Sequence, residues 1–267
     1  MKNHKIAVLV KQVIDTRHTE QYSLGANGTV DRNALPAIIN PEDLNALEQA
    51  IRLKEKFGNA EIIAISMGPQ RAAEALKEAM YRGADSAVLV SDRRVAGADT
   101  LATSYALSLA VRKVGADIVL AGRQTIDGDT AHVGPQTAQA LGIPQVTYAE
   151  DIAVENENTI TVKRRLDNGF ETVRTSLPAL VTVTCTSAKC RPCNAKRLLR
   201  YRKADITVWS ADDLGGDVMR FGLAGSPTQV IKSEQIVNEA KGSVRLTSST
   251  EDIARLVNQL ITNHSIE

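Results

Sequence analysis

Aromatic residues are scarce in this chain of 267 residues, because phenylalanine, tryptophan and tyrosine together make up only 3% of it. That scarcity argues against a surface that stacks nucleic-acid bases. Charge of one sign is also missing, since the formal net charge is +1. A near-neutral chain has no general electrostatic attraction for nucleic acids. No apolar run reaches the ~18 residues of a membrane helix, so we expect neither a nucleic-acid partner nor a membrane span.

Cysteine is rare as well, with Cys185, Cys190 and Cys193 clustered within nine residues. An odd, clustered set is not typical of a secreted disulfide framework, and no signal peptide precedes the first strand, so the sequence predicts a cytoplasmic protein. The spacing matches three ligands of a plant-type iron–sulfur site, but a fourth cysteine is absent. A redox-active pair or a zinc site with outside ligands is an alternative. Chance and local packing are favoured, and no metal is predicted.

Histidine occurs only at positions 4, 18, 132 and 264. The chain shows no Ser/His/Asp or Cys/His constellation of the kind that hydrolytic enzymes use. His132 lies in the stretch most suited to a ligand, but we interpret it as a solvent-facing residue. The sequence therefore predicts no catalytic side chain of its own.

What the chain does contain is a regular alternation of apolar strands and amphipathic helices with short loops. Strands are predicted at 5–13, 61–67, 86–90 and 117–121, and helices at 41–57, 71–82, 99–113 and 134–141. Asn40 is predicted to cap the first helix, with Pro41 at its first position. Such an alternation predicts a doubly wound α/β fold with a mostly parallel sheet and right-handed crossovers.

The rhythm changes after residue 151. Two β-prone runs flank Asp167-Asn168-Gly169 and predict a hairpin, and an apolar strand follows at 177–183. From Asn194 onward the apolar pattern is too weak for an independent core. We therefore predict an α/β domain over residues 1–193 and an extended C-terminal arm over residues 194–267 that packs on a partner protein.

Residues 121–135 form the most informative stretch, with three glycines and two aspartates between a buried strand and a helix of small residues. Unpaired amides and the helix dipole make such a turn suitable for an anionic ligand. In doubly wound sheets, ligands bind outside the carboxyl ends of the strands, near the point where strand order reverses. The stretch follows one of those ends, which favours a ligand site over an ordinary loop.

Taken in order, these segments resemble the β subunit of electron-transfer flavoproteins. The matching segments are residues 10–13 with Asp15, Asn40-Pro41, 64–69, 83–85, 122–124, 127–130, 133–135, the Asp-Asn-Gly hairpin turn and the strand from Leu177. The match covers essentially the whole chain at consistent spacing, and it implies an adenine-nucleotide-hydrolase-like fold. It also implies a heterodimer with a larger, FAD-containing α subunit, around which the C-terminal arm of the β subunit wraps.

The resemblance further implies that the β subunit binds AMP as a structural element, or a second FAD in members that bifurcate electrons. By family position, the residues that line this site are Val8, Val10, Asn40, Ser66, Met67, Gly122, Asp127, Gly128, Asp129, Thr130, Val133, Gly134 and Pro135. Gly128 and the Val-Gly-Pro segment are similar to the bifurcating type, so FAD is favoured over AMP. Glycine permits close approach to a pyrophosphate, and Asp129 is expected to accept from a backbone amide or a hydroxyl or to cap the helix.

A bifurcating member accepts a hydride from NADH, passes one electron to ferredoxin and sends the other to a partner dehydrogenase, of acyl-CoA or lactate type. The chain is then an electron-transfer subunit of a flavin-dependent oxidoreductase complex. The stretch from Asn194 to Lys203 falls at the family's recognition loop for dehydrogenases, where Leu198, Leu199, Arg200 and Arg202 are the predicted docking residues. The alternatives are an AMP-binding carrier without bifurcation and a nucleotide-sensing α/β protein without a redox role.

Overall fold

The computed structural model describes residues 3–15, 36–228 and 245–263. The chain divides into two compact units, Met1–Ile231 and Lys232–Glu267. Within the described ranges, no helix combines the length and the apolar character needed to cross a membrane. The polar stretch at residues 17–33, whose short β-prone pieces predict a hairpin-like excursion, lies outside the described residues.

The first unit is built on a nine-stranded sheet in the order β11-β5-β4-β1-β6-β10-β7-β8-β9. Its strands are β1 (His4–Leu9), β4 (Ala60–Met67), β5 (Ser86–Val90), β6 (Ile118–Gly122), β7 (Gln145–Asn156), β8 (Thr159–Leu166), β9 (Gly169–Ser176), β10 (Ala179–Val183) and β11 (Thr207–Trp209). Only the pairs β7–β8 and β8–β9 are antiparallel. The predicted α/β class and the mostly parallel sheet are confirmed, as is the hairpin, whose two strands flank Asp167 and Asn168.

Helices cover both faces of this sheet. They are α1 (Pro41–Phe57), α2 (Ala73–Arg82), α3 (Thr100–Val114), α4 (Val133–Leu141), α5 (Ala195–Tyr201) and α6 (Ala211–Leu214). One face packs α1 and α2 on residues such as Ile6 and Ile62, and the other packs α3, α4 and α6 on residues such as Ile65 and Val119. Parallel strands buried on both faces need continuous apolar runs, which is why those runs identified the strands.

The strand order reverses between β1 and β6. From β1 the chain crosses to β4 and then to β5 on one side, and it returns to place β6 on the other side of β1. Helix α1 therefore follows β1 on one face, while α3 leads into β6 on the opposite face. The carboxyl ends of β1 and β6 flank the crevice at which ligands of doubly wound sheets bind.

The first predicted strand is interrupted. Residues 5–13 form not one strand but β1 and a short strand, β2 (Gln12–Ile14), which pairs antiparallel with β3 (Ala37–Ile39) in a separate ribbon. The chain leaves the main sheet at Lys11, whose amide donates to the side chain of Asp43 and not to a strand. An apolar run alone cannot locate such a break, because Val10 and Val13 are buried on either side of it.

Residues 194–228 belong to the first unit. Strand β11 extends the parallel sheet beyond β5, and α5 packs on α2. Phe221 is 1% exposed beneath Tyr105 of α3. The first compact unit therefore extends past residue 193, to Ile231. The weak apolar pattern after Asn194 reflects short elements that complete an existing core.

The second unit contains α7 (Thr250–Thr262), which the side chain of Ser249 caps. Ile253, Leu256, Val257 and Ile261 are all at least 38% exposed. Their spacing places them along one side of the helix. The helix therefore presents an apolar stripe that can pack against another surface.

Candidate functional site

The candidate site lies at the carboxyl ends of β1, β4 and β6, beside the loop that joins β6 to α4. We call residues 123–132 the β6–α4 loop. The strand registers place Ser66 and Met67 at the same sheet edge as Gly122. Val8 and Val10 are buried in the core below this edge. The hydroxyl of Ser66 is buried and finds no partner among the described residues.

Asn40 connects α1 to the β6–α4 loop. It stands at the N-cap position, but its side chain makes no capping hydrogen bond, which corrects the prediction that it caps α1. Instead, Asn40 Nδ2 donates to the Gln124 carbonyl at 2.9 Å, and the Ile126 amide donates to Asn40 Oδ1 at 3.2 Å. Asn40 is 0% exposed, so it holds the start of the loop from inside the protein.

Two buried carboxylates beside Asn40 were not predicted from the sequence. Asp43 accepts from the amides of Lys11 at 2.8 Å and Gly122 at 3.0 Å, and Glu42 accepts from the amide of Gln124 at 2.8 Å. Burial raises the pKa of Asp43 to about 7, although the hydrogen bonds from those amides act in the opposite direction. Acidic residues are common in the first turn of a helix, where they interact with the helix dipole. Their presence in the sequence therefore gave no sign that they contact a distant loop.

Asp127 forms an ion pair across the crevice with Lys11, with 2.8 Å between Lys11 Nζ and Asp127 Oδ1. Burial alone would raise the pKa of Asp127, but hydrogen bonds from Lys11 and Thr125 and the lysine charge hold it below its usual value. The carboxylate is therefore ionised at neutral pH. The ion pair joins the segment after β1 to the middle of the β6–α4 loop.

The second half of the loop has an unusual backbone. Asp129 and Ala131 have φ angles of 48° and 54°, in the left-handed region that favours glycine. Asp129 accepts from the side-chain amide of Gln124 at 3.0 Å, whereas α4 begins only after His132. Asp129 thus accepts from a side-chain amide and does not cap the helix, contrary to both predicted roles.

Four main-chain amides at the end of this loop have no acceptor among the described residues: those of Thr130, Ala131, Val133 and Gly134. They lie at the start of α4, where the helix dipole also favours an anion. Pro135 is the third residue of α4, so its missing N–H removes no helical hydrogen bond. The arrangement is suited to a phosphate or pyrophosphate group.

The two glycines of this loop and helix serve different purposes. A Cβ atom on Gly134 would lie 2.5 Å from Cγ2 of Thr182, so glycine lets α4 approach β10 closely. A Cβ atom on Gly128 would have Thr125 Oγ1 at 3.7 Å as its nearest neighbour. The space above Gly128 is therefore open to a ligand.

A cavity of about 640 Å³ begins where the loop begins. Its lining residues are Arg123, Tyr148, Arg164, Arg165, Leu166, Asp167, Thr184, Cys185 and Thr186. Tyr148 has a φ of 61°, and the guanidinium of Arg123 lies 5.6 Å from the centre of its ring. A bulky residue at positive φ is rare and often marks a functional site. Arg123 links this cavity to the loop and also pairs with Glu42 at 3.2 Å.

Comparison with known proteins places these features in a family. The model of the electron transfer flavoprotein domain matches residues 27–214, well over half of the chain. The chain belongs to the electron transfer flavoprotein family. Membership of this family gives the chain a role in electron transfer.

Three relatives of this family member align along nearly their whole length. The electron transfer flavoprotein subunit beta of Clostridium acetobutylicum is 42% identical over 261 residues, 98% of this chain and 99% of the relative. The caffeyl-CoA reductase-Etf complex subunit CarD of Acetobacterium woodii is 40% identical, covering 98% of this chain and 100% of the relative. The protein FixA of Bradyrhizobium diazoefficiens is 40% identical, covering 96% and 91%.

The predicted docking residues of this family member lie on or next to α5. Leu199 is 65% exposed and Leu198 40%, while Arg200 and Arg202 are exposed beside them. Asn194 caps the helix, and Arg197 holds it by donating to the Met80 carbonyl at 2.7 Å. The helix is therefore fixed through its other residues and leaves these four side chains available to a partner.

The three cysteines lie just before this helix. Cys185 and Cys193 are exposed and Cys190 is half-buried, and burial raises the pKa of the Cys190 thiol to about 11. A thiol with so high a pKa is a poor nucleophile and a poor metal ligand. Among the described residues, no group of three or more His, Cys, Asp or Glu side chains is arranged to hold a metal.

Proposed function

We propose that this chain is the β subunit of a heterodimeric electron transfer flavoprotein and binds FAD along the β6–α4 loop. In this proposal the FAD takes part in NAD(H)-linked electron bifurcation or confurcation with ferredoxin and a partner dehydrogenase. The observation that carries it is the group of four amides without acceptors at the start of α4. Such a group suits the pyrophosphate of a dinucleotide.

The cavity next to the loop favours FAD over AMP. AMP ends at a single phosphate, whereas FAD continues through a second phosphate and a ribityl chain to a flavin ring system. The cavity of about 640 Å³ begins at Arg123, the first residue of the same loop, and can take the extra length. Arg164 and Arg165 in its lining supply donors for the polar edge of a ring or for NAD(H) beside it.

The residues of the chain bind and orient the nucleotide. The amides of the loop hold its phosphates, and the unpartnered hydroxyl of Ser66 offers a further hydrogen bond at the same edge. The ion pair between Lys11 and Asp127 fixes the opposite side of the crevice. When bound, the flavin supplies the hydride and single-electron chemistry, so no side chain of this chain needs to exchange a proton with the substrate.

The proposed partners use two separate surfaces. The apolar side of α7, with Ile253 and Ile261 about half exposed, is the surface that we assign to the α subunit. The exposed leucines and arginines of α5 are assigned to a flavin dehydrogenase. A relative named as a subunit of a caffeyl-CoA reductase complex favours the acyl-CoA type for that dehydrogenase, with the lactate type as the alternative.

The proposal is tested by counting cofactors in the purified heterodimer. Two FAD molecules per heterodimer are expected after mild denaturation and chromatography. One FAD together with one AMP would overturn the bifurcating proposal and identify an AMP-binding carrier.

Two single substitutions test whether the second flavin binds at the β6–α4 loop. Gly128→Val places its side chain in open space, so the fold should persist while the nucleotide is excluded. Gln139→Val, at an exposed position of α4, is the control and should retain both flavins. Full flavin content in Gly128→Val would show that the nucleotide does not approach this loop.

A further inference from the structure

The β6–α4 loop and the glycine before it are held by the first turn of α1. We call the three side chains that hold them the α1 clamp: Asn40, Glu42 and Asp43. These side chains accept hydrogen bonds from alternate main-chain amides, namely those of Gly122, Gln124 and Ile126. Alternate amides of an extended segment point to the same side, so a single helical turn can hold all of them.

Asp43 also joins two strands of the sheet. Its two oxygens accept from Lys11, just after β1, and from Gly122, the last residue of β6. These are the strands between which the strand order reverses. A single carboxylate therefore fixes both sides of the crevice relative to each other.

The α1 clamp is buried, which makes its hydrogen bonds important. Asn40 is 0% exposed, and Glu42 and Asp43 are each 5% exposed. A buried acceptor is stable only when its donor is present, and a buried amide that loses its acceptor is equally unfavourable. A Cβ atom on Gly122 would lie 2.4 Å from Asp43 Oδ1, so the fit between the clamp and the end of β6 is close.

We propose that the α1 clamp positions the β6–α4 loop for nucleotide binding, with Glu42 and Asp43 as positioning residues that do not themselves touch the ligand. The inference rests on the proposed nucleotide site at the end of this loop. The clamp holds residues 122–126, and the loop then runs on to the amides of Thr130, Ala131, Val133 and Gly134, which would hold a phosphate. Without the clamp, the position of those amides would vary, and the site would have to be ordered when the ligand binds.

The two acids offer opposite outcomes for isosteric substitution. Glu42→Gln keeps an oxygen that can accept from the Gln124 amide and gives up only the ion pair with Arg123, whose partly exposed side chain can turn to solvent, whereas Glu42→Ala removes both contacts. Asp43→Asn cannot replace the carboxylate, because one of its two positions becomes an NH₂ group that faces a main-chain N–H. Glu48→Ala is the matched control, since Glu48 is on the same helix, is also 5% exposed and accepts from the Arg191 amide at 3.0 Å.

The experiment uses the intact heterodimer at pH 8, where Asp43 is mostly ionised. Three quantities are measured for each variant: the Kd of FAD after removal and titration, the hydrogen exchange of a peptide covering residues 118–130, and Tm. Glu42→Ala and Asp43→Asn should each weaken FAD binding roughly tenfold or more and speed exchange in this peptide. Glu42→Gln should restore both quantities to within about threefold of the parent chain, a difference of roughly 0.6 kcal/mol.

Glu48→Ala separates positioning from general stability. It should lower Tm while FAD affinity and exchange in the 118–130 peptide stay unchanged. If FAD affinity instead follows Tm across all four variants, or if Glu42→Gln behaves like Glu42→Ala, the positioning role is overturned.

The outcome for the clamp can be told apart from that for the proposed function. If the parent heterodimer holds AMP in place of the second FAD, the titration is made with AMP, and the same pattern of variants still supports the clamp. If no nucleotide binds at this site and the 118–130 peptide exchanges equally in all variants, both proposals are overturned. A third outcome is that no nucleotide binds but the variants change the hydrogen exchange of the 118–130 peptide. That outcome overturns the proposed function and the role of the clamp in ligand binding, and it shows only that the clamp holds the loop.

Discussion

At the scale of single residues, Asp43 is the most consequential side chain of the site. Burial raises its pKa to about 7, above the value of 3.8 for an unperturbed carboxyl group. Because the folded state binds this proton more tightly than the unfolded state does, the contribution of Asp43 to stability is greatest below pH 4. That contribution is lost progressively as the pH rises through 7.

Substitution by asparagine should remove this pH dependence. The free energy of unfolding of the parent chain, minus that of Asp43→Asn, should fall between pH 4 and 7 by up to ~1.4 kcal/mol per pH unit. Above pH 8 the difference should be constant. Urea titrations at several pH values measure it, and a difference that rises with pH would show that the amides lower this pKa more than burial raises it.

Sequence reasoning at this scale found Gly128, Gly134 and Asn40 but gave them incomplete roles. Asn40 reads as a helix cap because it precedes Pro41, while its side chain in fact holds the β6–α4 loop. Glu42, Asp43 and Lys11 were missed as site residues, since their partners lie far away along the chain. Asp43 and Gly122, for example, are 79 positions apart, and no local pattern specifies such a pair.

At the scale of elements, α5 shows how a short helix can present a surface. Its capping residue and Arg197 attach it to the body of the protein, and it has no buried residue of its own. Leu199 makes no contribution to the core, and together with the exposed Leu198 it leaves an apolar pair on the surface that a partner can bury.

Leu199→Ala should therefore weaken docking of the dehydrogenase without changing the protein itself. We expect the KM for the dehydrogenase to rise about fivefold or more, as for a central interface residue, with flavin content and Tm unchanged. Val208→Ala, which also truncates an exposed apolar side chain, is the control. Equal KM values for the two variants would show that the dehydrogenase does not dock on α5.

The elements themselves were largely predictable, and the exceptions have physical causes. β5 occupies the predicted residues, and α3 begins at Thr100, one residue after its predicted start, where the side chain of Asp99 accepts from two amides. The first strand was predicted too long because burial continues past Lys11, where the chain leaves the sheet. β11 was not predicted, since three residues are too few for a periodic signal.

At the scale of the whole molecule, the first compact unit depends on residues that follow residue 193. Phe221, Ala211 and Leu214 complete the core beside α3, and β11 covers the edge of β5. A fully buried aromatic residue contributes about 2–3 kcal/mol on its own. The unit should therefore be unstable if it ends at residue 193.

A comparison of two shortened chains tests this. A chain that ends after residue 231 should fold with a cooperative transition, whereas one that ends after residue 193 should lose several kcal/mol and aggregate. Circular dichroism and size-exclusion chromatography distinguish the two results. Equal stability of the two chains would show that residues 194–231 are not needed for folding of this unit.

The position of β11 also affects how the protein is made. A ribosome synthesises β5 well before β11, so the nascent chain carries an uncovered sheet edge during most of the synthesis of the sheet. Open strand edges of this kind pair readily with other chains. The protein should therefore depend most on chaperones in the interval between the synthesis of β5 and that of β11, and pauses in translation there should increase this dependence.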